Sequence, residues 1–109
     1  MHKRHLIVLG LSAVSLVFSS AALAWNAERG QSISQVCAAC HGPTGTSIAP
    51  DFPNIGGQHR DYLYRALLDY KLGNRQDPIM AGQVAELSRQ DMRDLAAFYA
   101  AQEGLYLKR

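Results

Sequence analysis

The stretch Cys37-Ala38-Ala39-Cys40-His41 decides how this 109-residue chain is interpreted. It has the C-x-x-C-H spacing that attaches a c-type haem covalently. Residues i and i+3 lie on one face of a helix, so the thiols of Cys37 and Cys40 can both reach one porphyrin edge. His41 then lies beneath the ring, where its imidazole can bind the iron. The chain has no other cysteine, and the motif therefore predicts one covalent haem.

Three alternative roles for the two cysteines fit the sequence less well. A dithiol redox centre is typical of a helix that follows a strand, and no β-rich run precedes Cys37. A structural zinc site needs about four ligands. The chain could only just supply them, and His41 directly follows a cysteine, which suits a closed tetrahedral site poorly. The candidate zinc ligands are Cys37, Cys40, His41 and His59. A disulfide between the two cysteines is the simplest alternative.

The beginning of the chain has the features of a secretory signal peptide. A basic start precedes an apolar run at residues 6–18. That run is too short to cross a bilayer, which takes about 20 residues. Ala22-Leu23-Ala24 is an A-x-A cleavage motif. We therefore expect residues 1–24 to be removed and residues 25–109 to form one domain in the periplasm. An uncleaved anchor at residues 6–23 is the alternative.

The charge balance gives no sign of a nucleic-acid partner. The whole chain has 11 Lys and Arg against 9 Asp and Glu. Lys3 and Arg4 lie in the predicted signal peptide, so the remaining domain has equal numbers of the two kinds. It lacks the basic stripe that is typical of a nucleic-acid-binding surface.

Hydrophobic spacing and breaker residues predict three helices and two loops after the signal peptide. The first helix spans about residues 26–41 and the second about residues 60–72. The third begins after Ser88, with a capping box completed three residues later. Glycines and prolines place loops at residues 42–58 and 75–87. No stretch alternates with period two, so the predicted fold class is all-α, with three main helices wrapped around one haem.

An iron held by His41 has one further axial position. Its candidate ligands in this chain are Met80, Met92 and His59. Met92 lies on the apolar face of the last helix, where core packing accounts for it. His59 has polar neighbours and is most simply a surface residue. Met80 lies in the second loop after Pro78, where a flexible thioether can reach the ring. We therefore favour Met80 opposite His41, with a gap-filling core role as the alternative.

Three stretches make the chain resemble a small monohaem class I cytochrome c. They are Cys37 to Pro43, the A-P-D-F-P-N-I-G-G-Q stretch at residues 49–58, and the last helix from Leu87-Ser88 to Tyr99-Ala100. The resemblance covers residues 27–102 and is nearest to one half of the bacterial di-haem cytochromes c-four. The chain departs from those di-haem relatives because it contains a single C-x-x-C-H.

The resemblance implies a site as well as a fold. The family carries its axial methionine shortly before the Leu-Ser pair that opens the last helix, and Met80 occupies that place. Cys37, Cys40, His41 and Met80 are thereby the expected haem-binding residues, and the last two are the expected iron ligands.

Two further structural expectations come from the same resemblance. The backbone carbonyl of Pro53, or less well that of Pro50, would accept a hydrogen bond from His41 and orient its ring. Gly30 and Tyr99 would mark the crossing of the first and last helices.

These observations predict a periplasmic single-electron carrier that is not an enzyme. With His41 and Met80 as axial ligands, the iron would cycle between ferric and ferrous states and have no free position for a substrate. Its partners would be redox proteins that dock briefly, and we expect neither a nucleic acid nor a small-molecule substrate.

Two alternatives for the function stay open. The first is a haem subunit of a larger periplasmic or membrane oxidoreductase, with Tyr62, Tyr64 and Tyr106 at its interface. The second, less favoured, is a haem ligand sensor or a peroxidase-like protein.

Overall fold

The computed structural model describes residues 3–16 and 24–104. Within these ranges every regular element is a helix, which confirms the all-α class. No helix there is long and apolar enough to cross a bilayer. Residues 22 and 23 of the predicted cleavage motif and Tyr106 lie outside the described residues. The helices are α1 (Ala27–Ser32), α2 (Gln35–His41), α3 (Arg60–Leu72), α4 (Pro78–Val84) and α5 (Arg89–Ala100).

The predicted first helix is two helices, so the single helix over residues 26–41 is wrong. Asn26 caps α1 as expected, since its side chain accepts a 3.0 Å hydrogen bond from the backbone N–H of Arg29. At Ile33 the helix ends in a 3₁₀-type turn. The Ile33 N–H bonds to the carbonyl of Gly30, three residues back, rather than to that of Arg29, four residues back. The Ser34 hydroxyl donates to the carbonyl of Gln31 at 2.8 Å and competes with the helical bonds there. The chain therefore turns before α2.

The second predicted loop also contains a helix that sequence spacing missed. Asp77 caps α4, because its side chain accepts hydrogen bonds from the backbone N–H groups of Ile79 and Met80 at 2.9 and 3.0 Å. Pro78 stands at the first turn, where its missing N–H costs nothing. The prediction that residues 75–87 are a loop is therefore wrong for Pro78–Val84.

The other two predicted helices are confirmed. α3 begins and ends where spacing predicts, and Gly73 closes it in the left-handed conformation with φ of 80°. Ser88 caps α5, and the Asp91 side chain completes the capping box. Met92 is 0% exposed, which confirms its expected place in the core. The buried face of α5 packs against α1 and α3.

The crossing of α1 over α5 requires glycine at residue 30. A Cβ atom there would lie 2.0 Å from the carbonyl oxygen of Asp94 and 2.9 Å from Cβ of Phe98. The crossing implied at Gly30 is therefore confirmed, and Asp94 and Phe98 are the α5 residues nearest to it. Tyr99, the other residue expected to mark the crossing, is buried and lines the cavity described below.

Polar contacts strengthen the same crossing. Arg29 forms ion pairs with Asp94 at 2.7 Å and Asp91 at 2.5 Å. The Asp94 side chain is 1% exposed, and it also accepts hydrogen bonds from the Asn26 backbone and the Gln90 side chain. Burial by itself raises the pKa of Asp94, but Arg29 and these donors outweigh it and hold the pKa below its ordinary value. The buried carboxylate is thus a charged clamp between α1 and α5.

We predict that Gly30→Ala destabilises the haem-loaded protein, since its Cβ must displace the backbone of α5. Overpacking of this kind costs about 1–3 kcal/mol. Gly82→Ala is the matched control: Gly82 is also helical, and a Cβ there meets nothing within 4 Å. The control should be neutral or more stable by up to about 1 kcal/mol. Denaturant unfolding measures both, and equal effects at the two glycines would contradict the crossing.

We predict that Asp94→Asn makes the stability of the protein depend less on pH in the acid range. The native pKa of Asp94 is lowered, so its contribution is complete above the unfolded-state pKa of about 3.9 and is lost as the pH falls through the native pKa. The variant should be less stable than wild type at pH 7 and should lose less stability on acidification. Thermal midpoints measured from neutral to acid pH test this, with the exposed Asp51→Asn as control. Parallel profiles for Asp94→Asn and wild type would refute the clamp.

Candidate functional site

A cavity of about 290 Å³ lies among α2, α3, α4 and α5. Leucines and alanines of α3 and α5 form much of its wall, and polar groups are few. Such a wall suits a largely apolar ligand that is oriented by a few polar groups. The full lining is Cys37, His41, Pro53, Asn54, Ile55, Gln58, Tyr62, Leu63, Ala66, Leu67, Tyr70, Arg75, Met80, Leu95, Ala96 and Tyr99.

The C-x-x-C-H motif forms most of α2, and two of its three functional residues line the cavity. Cys37 and His41 are part of the wall, whereas Cys40 is not among the lining residues. Both cysteines are free and partly exposed, so the alternative of a disulfide between them is not formed. Burial in the apolar wall raises the pKa of the Cys37 thiol. Sequence spacing therefore identified a helix that presents a thiol and an imidazole to one cavity.

His41 is 9% exposed and is held by a backbone carbonyl. Its Nδ1 lies 2.8 Å from the carbonyl oxygen of Pro53, which confirms the partner implied by the resemblance. A carbonyl can only accept, so Nδ1 donates this hydrogen bond and Nε2 is the ring nitrogen left to bind a metal. Pro50, the weaker candidate, is exposed.

The loop that carries Pro53 is closed by its own backbone. The carbonyl of Gly45 accepts hydrogen bonds from the N–H groups of Ile55 at 2.8 Å and Gly56 at 3.0 Å. Gly45 has φ of +84°, and a Cβ there would lie 2.3 Å from the backbone nitrogen of Gly56. Glycine is required where the two parts of the loop meet. This closure sets the position of the carbonyl that orients His41.

Of the three candidate sixth ligands, Met80 is the one that lines the cavity with His41. It is half-buried and lies in the first turn of α4. Met92 is buried in the core, away from the lining. His59 is exposed at the start of α3, as expected of a surface residue.

The alternative of a zinc site fails on geometry. The part of the chain that the structure describes contains no group of three or more His, Cys, Asp or Glu side chains that could hold a metal ion. The four ligands that such a site would need are therefore not brought together.

Sequence reasoning missed Arg75, which is the one arginine or lysine in the described wall. Its guanidinium donates to the Tyr62 hydroxyl at 3.3 Å and lies 4.9 Å from the centre of the Tyr70 ring. Tyr62 lies 13 residues before Arg75 in the chain, so no local pattern indicated this contact. Of the three tyrosines considered for an interface, Tyr62 lines the cavity and Tyr64 packs edge-on against Trp25 at 5.4 Å. Burial raises the pKa of Tyr99, another wall residue, to about 12.

Comparison with known proteins identifies the fold. The profile of the family described as Cytochrome c matches residues 27–101, a range that includes all five helices. Cytochrome c4 of Pseudomonas aeruginosa is 41% identical over 98 residues, which cover 90% of this chain and 46% of that protein. The crystal structure of reduced recombinant cytochrome c4 from Pseudomonas stutzeri has a TM-score of 0.72 at 41% identity, over 75% of this chain and 48% of that one.

The chain thus spans about half the length of the cytochromes c4 that it matches. This confirms the resemblance to one half of a di-haem cytochrome c4. A shorter relative is matched over its whole length: cytochrome c-554(548) of Halomonas halodenitrificans is 36% identical over 73% of this chain and 100% of that protein. The cytochrome subunit of sulfide dehydrogenase from Chlorobaculum tepidum is 31% identical over 66% of this chain and 64% of that protein.

Proposed function

Because the chain belongs to the cytochrome c family, and thus carries one covalently attached c-type haem, we propose that it transfers single electrons and is not itself an enzyme. Cys37 and Cys40 attach the haem, and His41 and Met80 are its axial ligands. The observation that carries this proposal is that His41 and Met80, which lie on different helices, line one cavity. A haem with these ligands supplies a reversible one-electron couple.

His41 is prepared for ligation before any metal arrives. The Pro53 carbonyl accepts a hydrogen bond from Nδ1 and leaves Nε2 as the nitrogen that can bind the iron. This hydrogen bond also fixes the plane of the ring. His41 is buried, so water competes poorly for its lone pair.

As the proposed second axial ligand, Met80 makes the site one for electron transfer and not for catalysis. Its thioether is a weak, soft ligand that favours the reduced state and raises the potential. The apolar wall acts in the same direction, because burial disfavours the extra positive charge of the oxidised centre. A side chain at each axial position leaves no room for a substrate or a small-molecule ligand. The arrangement therefore supports electron transfer over the sensor and peroxidase-like alternatives.

We place this activity in the periplasm. Residues 1–24 have the signal-peptide features described above, and cleavage there would leave Trp25 as the first residue. Trp25 packs against the core, and the Arg60 guanidinium lies 4.2 Å from the centre of its ring. A domain that begins with a packed tryptophan supports a boundary immediately before it.

Redox proteins that dock transiently are the proposed partners. One relative, which is named as the cytochrome subunit of sulfide dehydrogenase, supports the alternative of a permanent subunit. Purification of the native haem-loaded protein separates these cases. A free domain supports the transient carrier, whereas a stable stoichiometric complex with a dehydrogenase would establish the subunit.

We predict that Met80→Ala keeps the covalent haem but opens the distal side. The oxidised variant should lose the weak sulfur-to-iron charge-transfer band at the red edge of the visible spectrum. Its reduced form should bind carbon monoxide. Met92→Leu is the matched control, because it removes the other methionine of the domain and keeps nearly the same volume, at a cost below about 1.5 kcal/mol.

The wild type and the Met92 variant should show the band and exclude carbon monoxide. A band that survives in Met80→Ala, or disappears in Met92→Leu, would overturn the ligand assignment.

A further inference from the structure

The helix that carries Met80 is too short to be stable by itself. α4 has seven residues, and isolated helices need about 12–15 residues to be even marginal in water. Asp77 satisfies the N–H groups at its beginning. The carbonyls at its end need partners from elsewhere in the fold.

Lys71 supplies one such partner, at the C-cap carbonyl, from a different helix. It lies in the last turn of α3, and its ammonium donates to the carbonyl of Ala85 at 3.0 Å and to that of Leu87 at 2.5 Å. Ala85 is the C-cap of α4, and Leu87 lies in the turn that leads to α5. One charged group thus joins the end of α3 to the segment immediately after the Met80 helix.

The segment is also tied to α3 on its other side. The backbone N–H of Arg75 donates to the carbonyl of Asp69 at 3.1 Å, and its guanidinium contacts Tyr62 and Tyr70. Residues 73–87 therefore form a strap beside the cavity, tied to α3 by Arg75 before Met80 and by Lys71 after it, while the buried side chain of Val84 holds α4 on the core. The Lys71 attachment is exposed and rests on two hydrogen bonds, so its loss weakens the strap without opening the core.

We propose that Lys71 is a positioning residue that keeps Met80 at the cavity by holding the turn after α4 on α3. The inference rests on the proposed ligation by Met80. A strap in equilibrium between closed and open forms exposes the distal position only when it is open. The apparent affinity of an added ligand is its intrinsic affinity multiplied by the fraction of molecules that are open. Lys71 thereby sets how readily a foreign ligand displaces Met80.

The test uses imidazole and the oxidised haem-loaded protein. At about pH 8, which is above the imidazole pKa of about 6.5, imidazole is largely neutral, so loss of the Lys71 charge does not attract or repel it directly. Lys71→Met should retain the sulfur-to-iron band without ligand and bind imidazole about three- to tenfold more tightly than wild type. Lys71→Arg should restore most of the wild-type affinity, because it keeps a cationic donor. Arg65→Met removes an exposed cation from the same helix and should change the affinity by less than about twofold.

Amide hydrogen exchange gives a readout that does not depend on ligation. In Lys71→Met, protection of the amides of residues 81–85 should fall about three- to tenfold, while that of residues 92–99 in α5 stays unchanged. Equal imidazole affinity and equal protection in Lys71→Met and wild type would overturn the role of Lys71. A uniform fall across α4 and α5 would also overturn it, since Lys71 would then support the whole fold.

A different result would count against the ligand and not against Lys71. If the wild type lacks the sulfur-to-iron band, Met80 is not an axial ligand, and hydrogen exchange still decides whether Lys71 holds α4. If Lys71→Met does not accumulate with haem, Lys71→Gln replaces it in both measurements. Its shorter neutral side chain loses the charge but keeps a polar donor.

Discussion

The close crossing of α1 over α5 at Gly30 is the constraint on which the site depends. The two backbones meet where a single Cβ would not fit, and the buried carboxylate of Asp94 clamps them through Arg29. The crossing fixes α1 on α5, and the turn at Ile33 and Ser34 then sets where α2 begins. Because α2 consists largely of the C-x-x-C-H motif, its thiol and imidazole face the cavity wall that α5 builds from Leu95, Ala96 and Tyr99. A packing requirement between two helices thus becomes the geometry of a haem site.

The two sides of the cavity are built differently, and the difference suits a carrier. On the proximal side, His41 belongs to the helix that follows the crossing, and its ring is held by a loop closed through Gly45. On the distal side, Met80 lies on a seven-residue helix that is held by the Asp77 cap and by Lys71. The histidine side therefore follows directly from the helix crossing, whereas the methionine side is a short helix anchored by the buried side chain of Val84 and by Lys71. In the proposed carrier, a histidine ligand that stays fixed would keep reorganisation small, and the strap would determine whether the position opposite it is closed.

Local chemistry determines which parts of this arrangement could be predicted from the sequence. The bounds of α3 and the capping box at Ser88 follow from residues within a few positions of each other, and both were predicted. The break at Ile33 and Ser34 was missed because no glycine or proline marks it, and its cause is a serine side chain that bonds the preceding turn. Helix α4 was missed for a different reason. The Asp77-Pro78 pair is a helix-start signal, but the helix is too short to show a hydrophobic period.

Long-range contacts account for the rest. Motif spacing and the family resemblance were enough to name Cys37, His41 and Met80, which the structure brings to one cavity, and the Pro53 carbonyl, which bonds His41. Neither indicated Lys71 or Arg75. Lys71 reaches carbonyls 14 and 16 residues away, and Arg75 reaches a tyrosine 13 residues away. Such partners become neighbours only when α3 and the segment after it are packed together.

The most direct test of ligation by Met80 is a proton–carbon NMR spectrum of the reduced, haem-loaded protein with labelled methionine methyl groups. A methyl held over the face of a porphyrin experiences a large ring-current shift, whereas a methyl in an ordinary core does not. We expect the Met80 methyl far upfield of the usual methionine region and the Met92 methyl close to it. If both methyl groups resonate in the usual region, Met80 does not ligate the iron, and the proposal of a closed electron carrier is wrong.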